Sequence, residues 1–171
     1  MNSNKLFTFV RLLVSLSIIF AGSSVFAETT LEKIKRTGKV TVGTEAAFPP
    51  FEFVEDGKIV GYGKDILDYI VADMKVELNQ LDLPWQGILP GVLAGKFDFV
   101  ATSVSIRAER AKKYAFTVPI AEGTNWVMKR SGDASINSPD DLSGKVVCTQ
   151  LASGSEKATK EWEEDMKSRG L

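Results

Sequence analysis

Thr102, Ser103 and Ser105, followed after one short segment by Arg110, form the stretch of this chain best equipped to hold an anion. They close an apolar run, Phe97 to Ala101, of the kind that makes a buried strand, and they lead into a short charged helix expected over 107–113. A helix leaves its first backbone N–H groups without intrahelical partners. Those donors and the helix dipole favour negative charge. An arginine beside them adds a planar fork matched to a carboxylate. The chemistry on offer is recognition of a small carboxylate at a sheet edge. The same residues would serve equally as capping serines and an exposed helix charge.

Other side chains sit where they could complete or contradict that reading. Glu45 ends a strand pattern and could meet a ligand cation, or could be a solvated loop acid. Phe48, between alanine and two prolines, is either a ligand platform or a core plug. Trp85 follows Pro84 at a helix start, where a hydrophobic staple is the alternative to a platform. Ser153 and Ser155 form a second hydroxylic loop and are good N-caps in any case. The chain has no histidine, so neither Ser-His-Asp nor Cys-His catalysis is available, and no metal site is expected. A single cysteine, Cys148, excludes a disulfide framework; its apolar neighbours Val146 and Val147 predict a buried position. Gly61-Tyr-Gly63 lacks the rest of a dinucleotide fingerprint, and no Gly-Lys pair has phosphate-loop spacing, so no cofactor is expected. A net charge of −1 carries no nucleic-acid footprint.

These residues need elements to position them. With 171 residues, 44% hydrophobic and 25% charged, the chain has a globular composition. Residues 1–27 read as a signal peptide: Lys5 and Arg11, an apolar run from Leu12 to Ala21, then Val25-Phe26-Ala27 as a cleavage site. Export to a bacterial periplasm is expected. A helix at Leu31–Arg36, capped by Thr29 or Thr30, precedes a strand at Lys39–Thr44. A loop over 45–51 leads to a hairpin turning at Asp56-Gly57. Then come an amphipathic helix at Asp65–Lys75, a strand at Glu77–Leu81, and a helix at Ile88–Ala94 with Pro90 in its first turn. The strand at 97–101 and the helix at 107–113 follow. Such alternation predicts a mostly parallel α/β sheet, with ligands beyond the C-terminal strand ends. Three loops fall there: 45–51, 84–87 and 102–110. After Pro119 the pattern restarts with strands at Thr124–Lys129 and Lys145–Thr149, a helical turn at 138–144, and a helix at Glu156–Ser168 facing inward through Ala158, Trp162 and Met166. The expected domains are a first lobe at 28–120 and, over 121–171, a hinge strand and a partial second lobe.

Taken in order, the motifs are Glu45…Phe48-Pro-Pro-Phe51-Glu-Phe; Gly61-Tyr-Gly-Lys-Asp65; Trp85-Gln-Gly-Ile-Leu-Pro90-Gly-Val-Leu-Ala-Gly-Lys-Phe-Asp98; Thr102-Ser-Val-Ser-Ile-Arg-Ala-Glu-Arg110; and Ala115-Phe-Thr-Val-Pro119. This order resembles the family 3 extracellular solute-binding proteins, the polar amino-acid receptors of ABC importers. The resemblance implies a periplasmic-binding-protein-like fold of two α/β lobes closing on a ligand. It implies that Phe48 and Trp85 sandwich the ligand, that Arg110 binds its α-carboxylate, and that Thr102, Ser103 and Ser105 add contacts. It places Glu45 near the ligand amine or side chain. It assigns Ala152, Ser153, Gly154 and Ser155 to contacts from the second lobe, where Ala152 departs from the family's usual glycine. Gly61-Tyr-Gly63 also departs from the family pattern, which should touch helix packing rather than the site. Further parts of the second lobe are expected beyond Leu171, so residues 1–171 alone should bind weakly or not at all.

The function implied is that of a periplasmic substrate-binding component, not an enzyme. It would be a monomer that binds a polar amino acid or similar small zwitterion and hands it to an ABC permease in the inner membrane. Two alternatives share these lobes: a cyclohexadienyl dehydratase-like enzyme, with Glu45 as its general acid, and an extracellular sensor domain.

Overall fold

The computed structural model describes residues 27–171. The expected signal peptide lies outside the described residues apart from Ala27. The chain divides into two units, Met1–Thr37 and Gly38–Leu171. In the first, helix α1 spans Thr30–Thr37. Its start is a reciprocal cap: the Glu32 N–H donates to Thr29 Oγ1 at 3.2 Å, and the Thr29 N–H donates to Glu32 Oε2 at 2.8 Å. That exchange satisfies donors at the helix start which have no intrahelical partner.

The second unit runs β1 (Lys39–Thr44), β2 (Ala47–Phe48), β3 (Glu52–Glu55), β4 (Lys58–Val60), α2 (Tyr62–Met74), β5 (Glu77–Asp82), α3 (Trp85–Leu93), β6 (Phe99–Val100), α4 (Ala108–Ala111), a 3-10 turn (Pro139–Leu142) and α5 (Gly154–Ser168). β1 is the centre of a parallel sheet in the order β5-β1-β6. Val40 pairs with Leu78, Thr44 with Asp82, and Val42 with Phe99. β2, β3 and β4 make a separate antiparallel sheet. The β3–β4 hairpin turns at Asp56 and Gly57, with φ of 50° and 74°. Two positive φ values are what a two-residue hairpin turn of the right twist requires, and Asp-Gly supplies them at low cost. The parallel α/β arrangement expected from the alternation is present.

Val40, Val42, Leu67, Ile88 and Phe97 form the buried centre. Phe97 is lodged between a strand and a helix. A Cβ on Gly43 of β1 would stand 2.7 Å from its ring, and one on Gly91 of α3 would stand 2.6 Å from it. Both positions must lack a side chain for the ring to fit.

Several elements differ from expectation. α3 begins at Trp85, so Pro90 lies in its second turn rather than its first. A proline there forgoes one helical hydrogen bond; Ile88 and Gly91 of the same helix are buried, and burial offsets that loss. The Phe97–Ala101 strand narrows to Phe99–Val100, and the helix at 107–113 narrows to the single turn α4. Part of the 45–51 loop, Ala47–Phe48, bridges to β3.

The largest differences follow Pro119. Neither the hinge strand at Thr124–Lys129 nor the strand at Lys145–Thr149 forms. A strand is completed by hydrogen bonds to a neighbour, and among the described residues no strand pairs with either segment. Met128 is 95% and Val146 94% exposed. Cys148 is exposed rather than buried, because the run around it is not packed into a sheet. The helical turn at 138–144 does form, with Ser138 and Asp141 as a capping box, and the expected helix at Glu156–Ser168 forms as α5, which begins two residues earlier at Gly154, with Met166 buried and Ala158 and Trp162 half-buried. Among the described residues no helix is long and apolar enough to cross a membrane, and no cluster of His, Cys, Asp and Glu could hold a metal ion.

Candidate functional site

The C-terminal ends of β5, β1 and β6 are tied together by side chains. Thr44 is fully buried. Its Oγ1 donates to the Ala101 carbonyl at 2.8 Å and accepts from Gln80 Nε2 at 2.9 Å. Asp82 Oδ1 accepts from the Ala46 N–H at 2.9 Å. These bonds hold the loops after β1 and β6 side by side, which places Glu45 next to Thr102: Thr102 Oγ1 reaches the Glu45 carbonyl at 3.5 Å.

Arg110 and Trp85 meet at the same edge. The Arg110 guanidinium lies 5.2 Å from the Trp85 ring centroid, within range of a cation–π attraction. Its Nη1 donates to the Ser105 carbonyl at 3.1 Å and its Nη2 to the Ala152 carbonyl at 3.5 Å. Burial, and after it the charge of Arg107, lowers the Arg110 pKa from its ordinary value; an arginine nevertheless stays cationic. Gln150 Nε2 donates to Glu45 Oε1 at 2.6 Å. The 150–155 loop is thus joined to the sheet edge at two points, Glu45 and Arg110.

Of the residues singled out from the sequence, Glu45, Trp85, Thr102, Arg110 and Ala152 come together in this way. Phe48 does not share in these contacts. It is 49% exposed and stacks on Phe51, with centroids 5.4 Å apart and planes 16° apart. Tyr62 sits edge-on to Phe51. Ser105 contributes its carbonyl. Ser153 caps α5 by accepting the Glu156 N–H at 3.1 Å, and Ser155 Oγ donates to Asn125 Oδ1 at 3.0 Å. Gly154 lies against Arg107. The anion cradle expected at a helix over 107–113 is not built by that helix, since a single turn sums little dipole.

The hydroxyl run does face a carboxylate, but one of the chain's own. Glu52 is only 2% exposed. Its Oε1 accepts from Ser103 Oγ at 2.7 Å, and its Oε2 lies 3.3 Å from the Ser103 N–H and 3.4 Å from Thr102 Oγ1. On the other side a Cβ at Gly63 would fall 2.1 Å from Oε1. The departure at Gly61-Tyr-Gly63 therefore makes room for a buried acid beneath the site. Residue type and spacing in β3 do not announce it, because a lone Glu in a hairpin reads as solvated. The available signal was the glycine at 63, where a helix start would ordinarily carry a side chain.

Burial raises the Glu52 pKa, against the hydrogen bonds from Ser103 and Thr102 that lower it. The folded state therefore holds this proton at a pH where the unfolded chain has lost it. Stability should fall as pH climbs from the ordinary glutamate range, about 4.3, through the raised folded value. Glu52→Gln keeps hydrogen-bonding capacity and removes the titration. Its stability relative to the parent should rise over that window in denaturant melts between about pH 4 and 7; a pH-independent difference would contradict the assignment.

Comparison with known proteins bears on this geometry. Residues 40–168 match the model of the bacterial extracellular solute-binding proteins, family 3. The L-cystine-binding protein TcyJ of Escherichia coli is 34% identical over 143 residues, covering 81% of this chain and 54% of that protein. The L-glutamate/L-aspartate-binding protein of Pseudomonas aeruginosa is 36% identical over 148 residues, covering 81% and 48%. The chain thus spans about half the length of these curated relatives. Among solved structures, an ancestral amino acid-binding protein, described as a precursor of cyclohexadienyl dehydratase, matches at a TM-score of 0.71 and 33% identity over 78% of this chain and 61% of that one. The arginine-bound form of a truncated ArgBP from T. maritima matches at 0.66 and 30%, over 76% and 62%.

Proposed function

The chain belongs to the family 3 bacterial extracellular solute-binding proteins, and from that premise we propose that it is the substrate-binding component of an ABC importer for a polar amino acid or similar small zwitterion. The observation that carries this reading is Arg110, held over Trp85 with one donor on Ser105 and another on Ala152. A guanidinium so fixed meets a ligand α-carboxylate with little further loss of side-chain freedom. Trp85 shields the contact from water. Glu45, drawn toward the site by Gln150, supplies the countercharge for the ligand ammonium. Backbone groups of Ala152–Ser155 approach from the opposite side.

The relatives named for cystine, glutamate and aspartate support the amino-acid class. In this reading residues 28–120 form the first lobe and 121–171 begin the second. Lobe closure buries the ligand as a hinged clamp does. Residues 1–27 direct export to the periplasm, where the protein works as a monomer and delivers its ligand to an inner-membrane permease. Binding proceeds without turnover: Glu45 stands at the edge with no histidine in the chain to pair with it. Calorimetry on the full-length protein with the standard amino acids and cystine is the test. Saturable binding of at least one is expected, and prephenate should remain unconverted. An absence of binding across the whole set would overturn the proposal.

A further inference from the structure

We propose that the ligand carries a second acidic group and that Arg107 is the residue that reads it. This rests on the amino-acid-binding reading above and narrows it to dicarboxylic amino acids.

Arg107 is extended, with φ of −139° and ψ of 148°, and immediately precedes the turn α4 that carries Arg110. Residues three apart across such a turn lie on one side of it. Both guanidiniums reach the same short stretch of the 150–155 loop. Arg110 Nη2 donates to the Ala152 carbonyl. Arg107 lies so close to Gly154 that a Cβ there would be 1.9 Å from Nη2 and 2.4 Å from Cζ. A side chain at 154 would displace that guanidinium from its present position.

Two like charges are therefore brought together at a half-buried edge. Among the described residues neither makes a salt bridge, and the one carboxylate within electrostatic reach of both, Glu109, is shared with a lysine. Glu109 pairs with Lys157 at 2.7 Å. Glu156 pairs with Lys160 at 2.6 Å and accepts the Ala152 N–H at 2.6 Å. The charge of Arg107 is felt at Arg110 and Glu109 offsets it in part; an anion bound between the two guanidiniums would offset it further. Arg110 accounts for one carboxylate of a ligand, and Arg107 is left for another. Two guanidiniums and one carboxylate, Glu45, complement a molecule with two carboxylates and one ammonium. Arg–carboxylate forks of this sort carry both strength and geometric selectivity.

Calorimetry on the full-length protein with matched pairs tests this: glutamate against glutamine, and aspartate against asparagine, with lysine alongside. At least one dicarboxylate should bind tenfold or more tighter than its amide and than lysine. Arg107→Met should collapse that ratio toward one, Arg107→Lys should retain part of it, and Gly154→Ala should shift it in the same direction as Arg107→Met by displacing the guanidinium. Amides or lysine binding as well as the dicarboxylates would overturn this inference while leaving the amino-acid reading intact. So would an Arg107→Met protein that keeps the parent ratio. Failure of every amino acid to bind would overturn both. If the variants do not fold, the ratios of the unmodified protein decide.

Discussion

Arg110→Ala is expected to weaken amino-acid binding at least tenfold while lowering the melting temperature by several degrees at most. Within the folded chain Arg110 makes two bonds to carbonyls, at Ser105 and Ala152, and one contact with the Trp85 ring. The ring contact at a partly exposed position and the two bonds to exposed carbonyls, which water replaces, contribute together about 1–2 kcal/mol, and a loss of that size moves the midpoint of a domain this size by about 2–8 °C. Against a ligand carboxylate the same guanidinium offers charge-assisted bonds of roughly 1.5–3 kcal/mol each, and 1.4 kcal/mol is about tenfold in affinity. The two effects separate because the ligand loses its counter-ion while the fold loses only edge contacts. Calorimetry beside a thermal melt reads both. Affinity within twofold of the parent would remove Arg110 from the role proposed for it.

Phe97→Ala should act the other way round, striking stability first. Burial of this ring between β1 and α3 is nearly complete, and it occupies the space opened by Gly43 and Gly91. Deleting a buried phenyl ring leaves a cavity and costs about 3–5 kcal/mol, a large share of the roughly 5–15 kcal/mol that holds a typical domain folded. A drop of about 6–20 °C in melting temperature follows from the same scaling. The facing glycines give a converse check. Gly91→Ala pushes a methyl group to within 2.6 Å of the ring, and overpacking of this kind costs about 1–3 kcal/mol. Because α3 begins at Trp85 and β1 ends one residue before Glu45, ligand affinity should fall along with stability in both variants. A Phe97→Ala protein melting within 2 °C of the parent would show that the ring does not join the two elements.

The contrast between these residues shows what could be read in advance. Arg110 and Trp85 stand out by type, spacing and motif order. Phe97 reads only as one apolar residue among several. Its importance depends on two glycines, 54 positions before it and 6 positions before it in the chain, that become its neighbours only when β1 and α3 pack together. Glu52 was less legible still. Its partners Thr102 and Ser103 lie 50 and 51 positions away, so two of the three hydroxyls expected to meet a ligand are engaged with it. The segments at Thr124–Lys129 and Lys145–Thr149 erred in the other direction: their apolar, strand-like composition is real, yet composition does not provide a neighbour.

By itself the sequence determined the parts governed by local rules. The Asp56-Gly57 turn follows from φ preferences, a threonine cap at Thr29 or Thr30 and a serine cap at Ser153 or Ser155 from donors at helix starts, and the strand–helix alternation from hydrophobic period. That alternation was enough to put loops 45–51, 84–87 and 102–110 at one sheet edge. The tertiary structure alone decided which groups on those loops meet: Arg110 over Trp85, Gln150 on Glu45, Glu52 beneath Ser103, Arg107 against Gly154. Contacts between residues this far apart in the chain depend on strand order and on which face each side chain takes. Pairwise chemistry in the sequence constrains neither, because every hydroxyl and carboxylate has several possible partners until packing selects among them.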